Sequence, residues 1–157
     1  MLRFRRQPAM IAVAPFDPER FVTAQAPVLS AVLAELRAGR KRTHWMWFIF
    51  PQLRGLGRSS MATFYGVASL HEARAYLAHP VLGPRLELCT RIVLELESGP
   101  LHEIFGSPDD MKFQSSMTLF ASAAANPDSL FYQALDRWCS GFPDPQTLKL
   151  LDAHGRC

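Results

Sequence analysis

The chain is organised around residues 43–60, which read THWMWFIFPQLRGLGRSS. An imidazole and two indoles open this stretch, and an apolar run from Trp47 to Phe50 follows. A turn with two glycines, two arginines and two serines then closes it. A segment that only fills a core needs the apolar run alone. The added polar groups therefore predict a functional site beside a buried segment.

The local structure of this stretch is open to two interpretations. Thr43 is expected to cap a short helix from His44 to Phe50, because its hydroxyl can accept a hydrogen bond from a free backbone amide. Pro51 should end this helix. Aromatic and β-branched residues also favour strands, so a strand over Trp47–Phe50 is the competing prediction. After the turn, Ser59 or Ser60 should cap a helix that reaches about residue 65.

Proline and Pro-Asp pairs divide the rest of the chain into helical segments without an alternating β pattern. Ser69 and Glu72 form a capping-box pattern, and Gly39 stands where a helix commonly ends in a left-handed residue. The expected helices run over about residues 18–24, 27–38, 70–78, 80–97, 101–105, 107–124, 126–139 and 144–151. We therefore predict an all-α fold, a single compact multihelical domain of about seven to nine helices.

Composition agrees with one globular domain. The 157 residues are 48% hydrophobic and 20% charged, with a net charge of +3, which is typical of a chain that forms a core. We expect residues 1–14 to be a disordered extension, with Met1 or Met10 as the true start, residues 15–152 to form the domain, and residues 153–157 to be a frayed tail.

Cysteine usage and hydropathy bear on location and partners. Three widely spaced cysteines with no Cys-x-x-Cys pair indicate reduced thiols in a cytoplasmic protein. No apolar run approaches the roughly 20 residues that a membrane-spanning helix needs, so no membrane partner is expected. The histidines lack metal-ligand spacing, so we predict no metal site and no cofactor.

The candidate ligand-binding residues surround the glycine turn. Backbone amides at the start of a helix favour anions, and the arginine fork pairs with phosphate or carboxylate. The turn lacks the Gly-Lys-Ser/Thr of a P-loop, and glycines required only by turn geometry are the simpler interpretation. The candidates are Trp45, Trp47, Gln52, Arg54, Gly57, Arg58, Ser59, Ser60, Ser115 and Ser116.

The candidate catalytic residues are His44, His79, Asp110 and Lys112. His44 or His79 could move a proton, with Asp110 or Lys112 as the orienting or second acid–base group. The alternative is structural: a satisfied histidine, core tryptophans, and a capped helix start with an exposed Asp–Lys pair. Sequence alone leaves both open.

Four motifs in order, THWMWFIFPQ, GLG, YLAHP and DMKF-SSMTLF, resemble the DUF1810 family from about Phe16 to Leu151. The resemblance implies a mainly α-helical fold and brings no established activity. The family's motif positions correspond to His44, Trp45, Trp47, Pro51, Gln52, Gly57, Ser59, Tyr76, His79, Pro80, Asp110, Lys112, Ser115 and Met117.

Three functions are consistent with these features of the sequence. The first is a small enzyme or binding domain with one polar pocket for a phosphate-bearing or nucleotide-like molecule; whether it is an enzyme stays undecided. The second is a protein–protein adaptor without catalytic activity. The third is nucleic-acid binding through the Arg37–Arg42 basic cluster, which is disfavoured because a nucleic-acid surface normally needs a longer basic stripe. Convergence of the four motifs on one pocket would favour the first function, and scattering would favour the second.

Overall fold

The computed structural model describes residues 15–97 and 99–155, and this part of the chain contains ten helices. The predicted all-α fold is confirmed, with ten helices in the described residues where about seven to nine were expected. The helices are α1 Glu19–Gln25, α2 Leu29–Arg37, α3 Met46–Ile49, α4 Ser60–Phe64, α5 Leu70–Ala78, α6 Leu82–Glu95, α7 Leu101–Phe105, α8 Asp109–Ala124, α9 Leu130–Trp138 and α10 Pro145–Gly155.

Helix α8 is the centre of the fold, since α5, α7, α9 and α10 all pack against it. Its residues from Phe113 to Ala123 are buried except Gln114 and Ser122. Helix α6 forms a second layer that contacts α2, α5 and α9. A helix that is covered on most of its circumference is typical of the interior of a multihelical domain.

The apolar run of residues 47–50 supplies the aromatic core next to α8. Phe50 is 0% exposed, and its ring centroid lies 5.8 Å from Phe105 and 5.1 Å from Phe113. Phe105 and Phe113 stack on each other at 4.9 Å. The run therefore joins the short helix α3 to α7 and α8 through ring contacts, which add to the apolar area that they bury.

The structure corrects two predictions in the 43–60 stretch. The strand prediction for residues 47–50 is wrong, because the amides of Ile49 and Phe50 bond carbonyls four residues earlier. Thr43 does not cap α3, because its hydroxyl donates to Glu35 Oε2 at 2.7 Å instead. In the described residues the only extended pairing is an isolated bridge between Leu53 and Val67.

Several helix boundaries match the predicted caps. At the starts of α4, α5 and α10, a backbone amide donates a hydrogen bond to the side chain of Ser59, Ser69 and Asp144, respectively. Helix α9 begins later than predicted and takes Ser129 as its cap, and α10 continues past residue 151 to Gly155. The predicted extension over residues 1–14 lies outside the described residues.

Close approach of two helices explains one glycine. A Cβ built at Gly83 would overlap the carbonyl oxygen of Leu77, so α5 and α6 approach each other at a point where only glycine fits. Across the described residues, none of the helices has the length and hydropathy required to cross a membrane.

Candidate functional site

The loop between α2 and α3, residues 38–45, carries three basic residues, and we call it the basic loop. Its backbone is tied to two neighbours. The Arg40 amide donates to the Glu35 carbonyl at 3.0 Å, and the Lys41 amide donates to the Ile104 carbonyl at 2.6 Å. The second bond joins the loop to α7. These bonds fix where the side chains of Arg40 and Lys41 begin.

The Glu35 carboxylate holds the second half of the basic loop. Its Oε1 accepts the amides of Arg42 and Thr43 at 2.7 and 3.1 Å and the indole N–H of Trp45 at 2.9 Å. The Thr43 hydroxyl donates to Oε2 at 2.7 Å. Four consecutive amides, from Arg40 to Thr43, therefore have partners, so the loop is preorganised.

These bonds also set the ionisation of Glu35. Desolvation by burial raises its pKa, but bonds from the Arg42 amide, the Thr43 hydroxyl, the Trp45 indole and the Thr43 amide together outweigh it. They lower the pKa from its ordinary value of 4.5 to about 2. Hydrogen bonds to a carboxylate favour its charged form, so Glu35 is an anion at every physiological pH.

Two lysines share one carboxylate beside the basic loop. Lys41 Nζ lies 2.9 Å from Asp109 Oδ2, and Lys112 Nζ lies 3.5 Å from Asp109 Oδ1. Each ammonium also lies over an indole, at 5.1 Å from the Trp45 centroid for Lys41 and 5.3 Å from the Trp47 centroid for Lys112. The Lys41–Asp109–Lys112 cluster thus carries one more positive than negative charge.

A cleft of about 600 Å³ opens between the basic loop and the residues around α7. Arg40 and Lys41 line one side, and His102, Glu103 and Gly106 line the other. Arg40, His102 and Glu103 are exposed, whereas the Lys41 side chain is only 8% exposed. In and beside the cleft, three cations (Arg40, Lys41 and Lys112) stand against two carboxylates (Glu103 and Asp109), and this surplus of one positive charge favours an anion.

Comparison with known proteins defines the family. The model for "Protein of unknown function (DUF1810)" matches residues 15–151. The chain belongs to the DUF1810 family. The search of curated proteins finds no match.

A solved structure supports the DUF1810 fold described above. The chain is similar to the conserved hypothetical protein Rv1873 from Mycobacterium tuberculosis, whose crystal structure was determined at 1.38 Å. The two are 56% identical, the TM-score is 0.85, and the match covers 88% of this chain and 99% of that one.

In this DUF1810 member, Arg54 serves the fold near the glycine turn. Its Nε donates to the Thr63 carbonyl at 3.2 Å and one terminal nitrogen donates to the Gly66 carbonyl at 3.0 Å. Arg20 donates to the Gly66 carbonyl as well, at 3.2 Å. Both guanidinium groups thereby bond carbonyls at and just after the end of α4.

The rest of the glycine turn has local roles. Ser59 Oγ accepts the Ala62 amide at 3.0 Å, and a Cβ at Gly57 would lie 2.7 Å from the Ala62 Cβ. Arg58 and Ser60 are exposed. Helix α4 has only five residues, so it offers a weak dipole to an anion.

The structure separates the two tryptophans that the sequence treats alike. Trp45 is 1% exposed, so the core interpretation applies to it and no face is open to a ligand. Trp47 is half-buried and keeps surface available beside Lys112. Gln52 is half-buried, and its backbone carbonyl accepts a hydrogen bond from the Val67 amide at 2.9 Å.

Two of the predicted acid–base groups accept hydrogen bonds from backbone amides, and a third is exposed. His79 Nδ1 accepts the amides of Val81 and Leu82 at 3.1 and 3.3 Å, which caps α6. Asp110 Oδ1 accepts the Met111 amide at 2.8 Å at the start of α8. His44 is exposed at the surface of the basic loop.

The two candidate serines on α8, Ser115 and Ser116, differ in their hydrogen bonds. Ser115 Oγ donates to the Met111 carbonyl at 3.1 Å within the helix. Ser116 is 0% exposed, and its hydroxyl has no hydrogen-bond partner in the described part of the chain.

The sequence interpretation missed the residues that shape the cleft: Glu35, Lys41, His102 and Asp109. Lys41 belongs to the Arg37–Arg42 basic cluster that the sequence offers for nucleic-acid binding, and the structure pairs it with Asp109. A signal for Glu35 did exist, since it lies three residues after Val32 and next to Leu36 on the apolar side of α2. A charged residue at a core-facing position needs hydrogen-bond partners, which marks it as part of a polar network.

Proposed function

We propose that this protein is a binding domain for a small phosphate-bearing or nucleotide-like molecule, and that the cleft beside the basic loop is its site. Arg40 would hold the anion in a bidentate fork, Lys41 would add a fixed charge, and His102 would donate from the opposite wall. The Lys41–Asp109–Lys112 cluster is the observation that carries the proposal, because it places a nearly buried cation in the cleft wall with surplus positive charge around it.

The size of the cleft supports a ligand larger than an inorganic ion. Small-molecule sites commonly have volumes of about 300–1,000 Å³, and a cleft of about 600 Å³ falls in this range. A preorganised wall also favours tight binding, because less loop entropy is lost when the ligand arrives. The ordered amides of the basic loop meet that requirement.

Binding is favoured over catalysis, because the histidine, aspartate and lysine that could act as acids or bases already have protein partners. His79 and Asp110 accept backbone amides, and Lys112 is paired with Asp109. Burial raises the pKa of Cys89 to about 12 and that of Cys139 to about 11. Both thiols are therefore protonated near neutral pH and are poor nucleophiles. Free thiols at these two positions are also in keeping with the proposed cytoplasmic location.

Calorimetric titration with inorganic phosphate and with a nucleoside monophosphate, at constant ionic strength, tests the site. Arg40→Ala should raise the dissociation constant by about ten- to a hundredfold, since a charge-assisted hydrogen bond is worth about 1.5–3 kcal/mol. Arg37→Ala is the matched control: Arg37 is an exposed arginine of the same cluster that does not line the cleft, and its loss should change binding by less than about twofold.

Three outcomes contradict the proposal. If neither ligand binds saturably, the phosphate site is wrong and the adaptor function becomes the better explanation. If Arg54→Ala or Arg58→Ala removes binding while Arg40→Ala does not, the glycine turn is the site, as the sequence motifs first suggested. Binding of nucleic acid that depends on Arg37 and Arg42 rather than on Arg40 would instead support the third function.

A further inference from the structure

His102, on α7, stands between two clefts. The residue lines the cleft beside the basic loop, and it also lines a smaller one of about 210 Å³, which we call the second cleft. Residues of α7, α8 and the end of α9 form the walls of the second cleft. Because one exposed residue borders both clefts, the clefts adjoin, and a ligand larger than phosphate can occupy both.

The second cleft offers hydrogen-bond acceptors from α8, whereas the first offers the cations Arg40 and Lys41. Asp110 and Gln114 both line the second cleft, and they lie one helical turn apart, on the same side of α8. Gln114 Nε2 donates to the Phe142 carbonyl at 2.8 Å. Since only the nitrogen of an amide donates to a carbonyl, this bond fixes the amide and makes Oε1 the acceptor that Gln114 offers. A group with N–H donors therefore suits the second cleft.

The Asp110 carboxylate is held in place, and its charge acts on the second cleft. Its Oδ1 accepts hydrogen bonds from the Met111 amide at 2.8 Å and from the Ser107 hydroxyl at 3.2 Å. A carboxylate has about four acceptor sites, so it can accept further donors. Burial, and then the negative charge of Asp110, raise the pKa of the Cys139 thiol, which lines the same cleft. The same charge repels a phosphate, so the anionic end of a ligand belongs in the first cleft.

Apolar side chains also line the second cleft. Leu101 and Trp138 are half-buried, and Met111 is 65% exposed. Trp138 Nε1 donates to the Val93 carbonyl at 3.1 Å, so its N–H is used within the protein and the indole serves the cleft as apolar surface. Thioether and indole groups pack well against flat rings. Acceptors beside such a surface fit a heteroaromatic ring that carries N–H groups.

We propose that one ligand spans both clefts and that it is a purine nucleoside monophosphate with guanine as its base. The phosphate lies beside Arg40 and Lys41, and the base lies in the second cleft against Asp110 and Gln114. Guanine is favoured because its ring N–H and its exocyclic amino group are adjacent donors that match a carboxylate, and enzymes that bind an unpaired base read it through that edge. Adenine presents an acceptor nitrogen there, which a carboxylate repels. This inference rests on the proposed phosphate site and adds the group that the phosphate carries.

Calorimetric titration of the full chain with inorganic phosphate and with guanosine monophosphate, at constant ionic strength, measures what the base adds. The ratio of the two dissociation constants isolates the base from the phosphate. In the parent, guanosine monophosphate should bind at least about tenfold more tightly than phosphate. Asp110→Asn should lower that gain to about twofold or less, because an amide N–H would face the donors of the base. Asp136→Asn is the matched control: Asp136 is an exposed aspartate that lines a different cavity, and its loss should leave the ratio within about twofold.

Gln114→Leu gives a second measurement that leaves the net charge unchanged. It removes the other acceptor and should reduce the gain by at least about threefold. Gln133→Leu is its control. The Gln133 Nε2 also donates to a backbone carbonyl, that of Asp128 at 2.9 Å, but Gln133 lines the same separate cavity as Asp136. The melting temperature of each variant, measured in parallel, shows whether the domain is folded.

Arg40→Ala separates this inference from the proposed function. It should weaken the binding of phosphate and of guanosine monophosphate by the same factor, because Arg40 holds only the phosphate end. If phosphate binding depends on Arg40, but guanosine monophosphate binds no more tightly or Asp110→Asn keeps the gain, the spanning ligand is wrong and the phosphate site stands. If neither ligand binds, both proposals fail. Adenosine monophosphate that binds as tightly as guanosine monophosphate would overturn the assignment of guanine.

Discussion

Glu35 is a single residue on which the shape of the basic loop depends. Its carboxylate takes four hydrogen bonds from three residues, and an amide in its place would turn one acceptor oxygen into a donor facing donors. We expect Glu35→Gln to lower the free energy of unfolding by about 2–4 kcal/mol at neutral pH. Urea unfolding measures this, with the exposed Glu87→Gln as control.

The same residue predicts a pH dependence. The pKa of Glu35 falls from 4.5 to about 2 on folding, so the unfolded chain binds the proton more tightly. The stabilisation is fully present above pH 4.5 and is lost as the pH falls toward 2. Between these values the stability of the parent should drop more steeply than that of Glu35→Gln. Parallel curves for the two proteins would show that Glu35 does not titrate as described.

At the scale of elements, α3 depends on the ring that follows it. Phe50 is fully buried among Trp45, Phe105 and Phe113, so truncation leaves a cavity where α3, α7 and α8 meet. Phe50→Ala should cost about 3–5 kcal/mol in chemical unfolding. The exposed Phe64→Ala should cost less than about 1 kcal/mol. A loss that small at Phe50 would mean that the run faces an open surface.

Local signals explain why most helices could be predicted. Proline positions and the caps at Ser59, Ser69 and Asp144 act within a few residues, so they can be read directly from the sequence. Thr43 shows the limit of that method. Its hydroxyl had two acceptable uses, a cap or a bond to a carboxylate, and only the path of the basic loop decides that Glu35 takes it.

The site was less predictable for the same reason. Lys41 and Asp109 lie far apart in sequence, and their pairing depends on how α7 and α8 pack against the basic loop. The motifs include Trp47 and Lys112, but Asp109, which pairs with Lys112, lies outside them. The sequence offers Arg54 as an anion ligand. In the structure its N–H groups bond backbone carbonyls instead, and only the tertiary fold determines that.

At the scale of the whole molecule, the fold is built on α8, and we expect it to form without residues 1–14. Residues 1–14 have like charges and no helical period, so they should contribute little packing. Deleting residues 2–14 should shift the melting temperature by no more than about one or two degrees. Differential scanning calorimetry of the two chains measures this, and a larger decrease would show that the segment packs on the domain.

The shared carboxylate between two lysines also has an evolutionary consequence. Loss of Asp109 would leave two ammonium groups next to each other, whereas loss of Lys41 would leave the carboxylate with only the longer contact to Lys112. Mutations at these three positions should therefore show epistasis, with each tolerated only in certain backgrounds. Relatives that replace Asp109 by a neutral residue are expected to have replaced at least one of the lysines, so the three positions should covary during divergence.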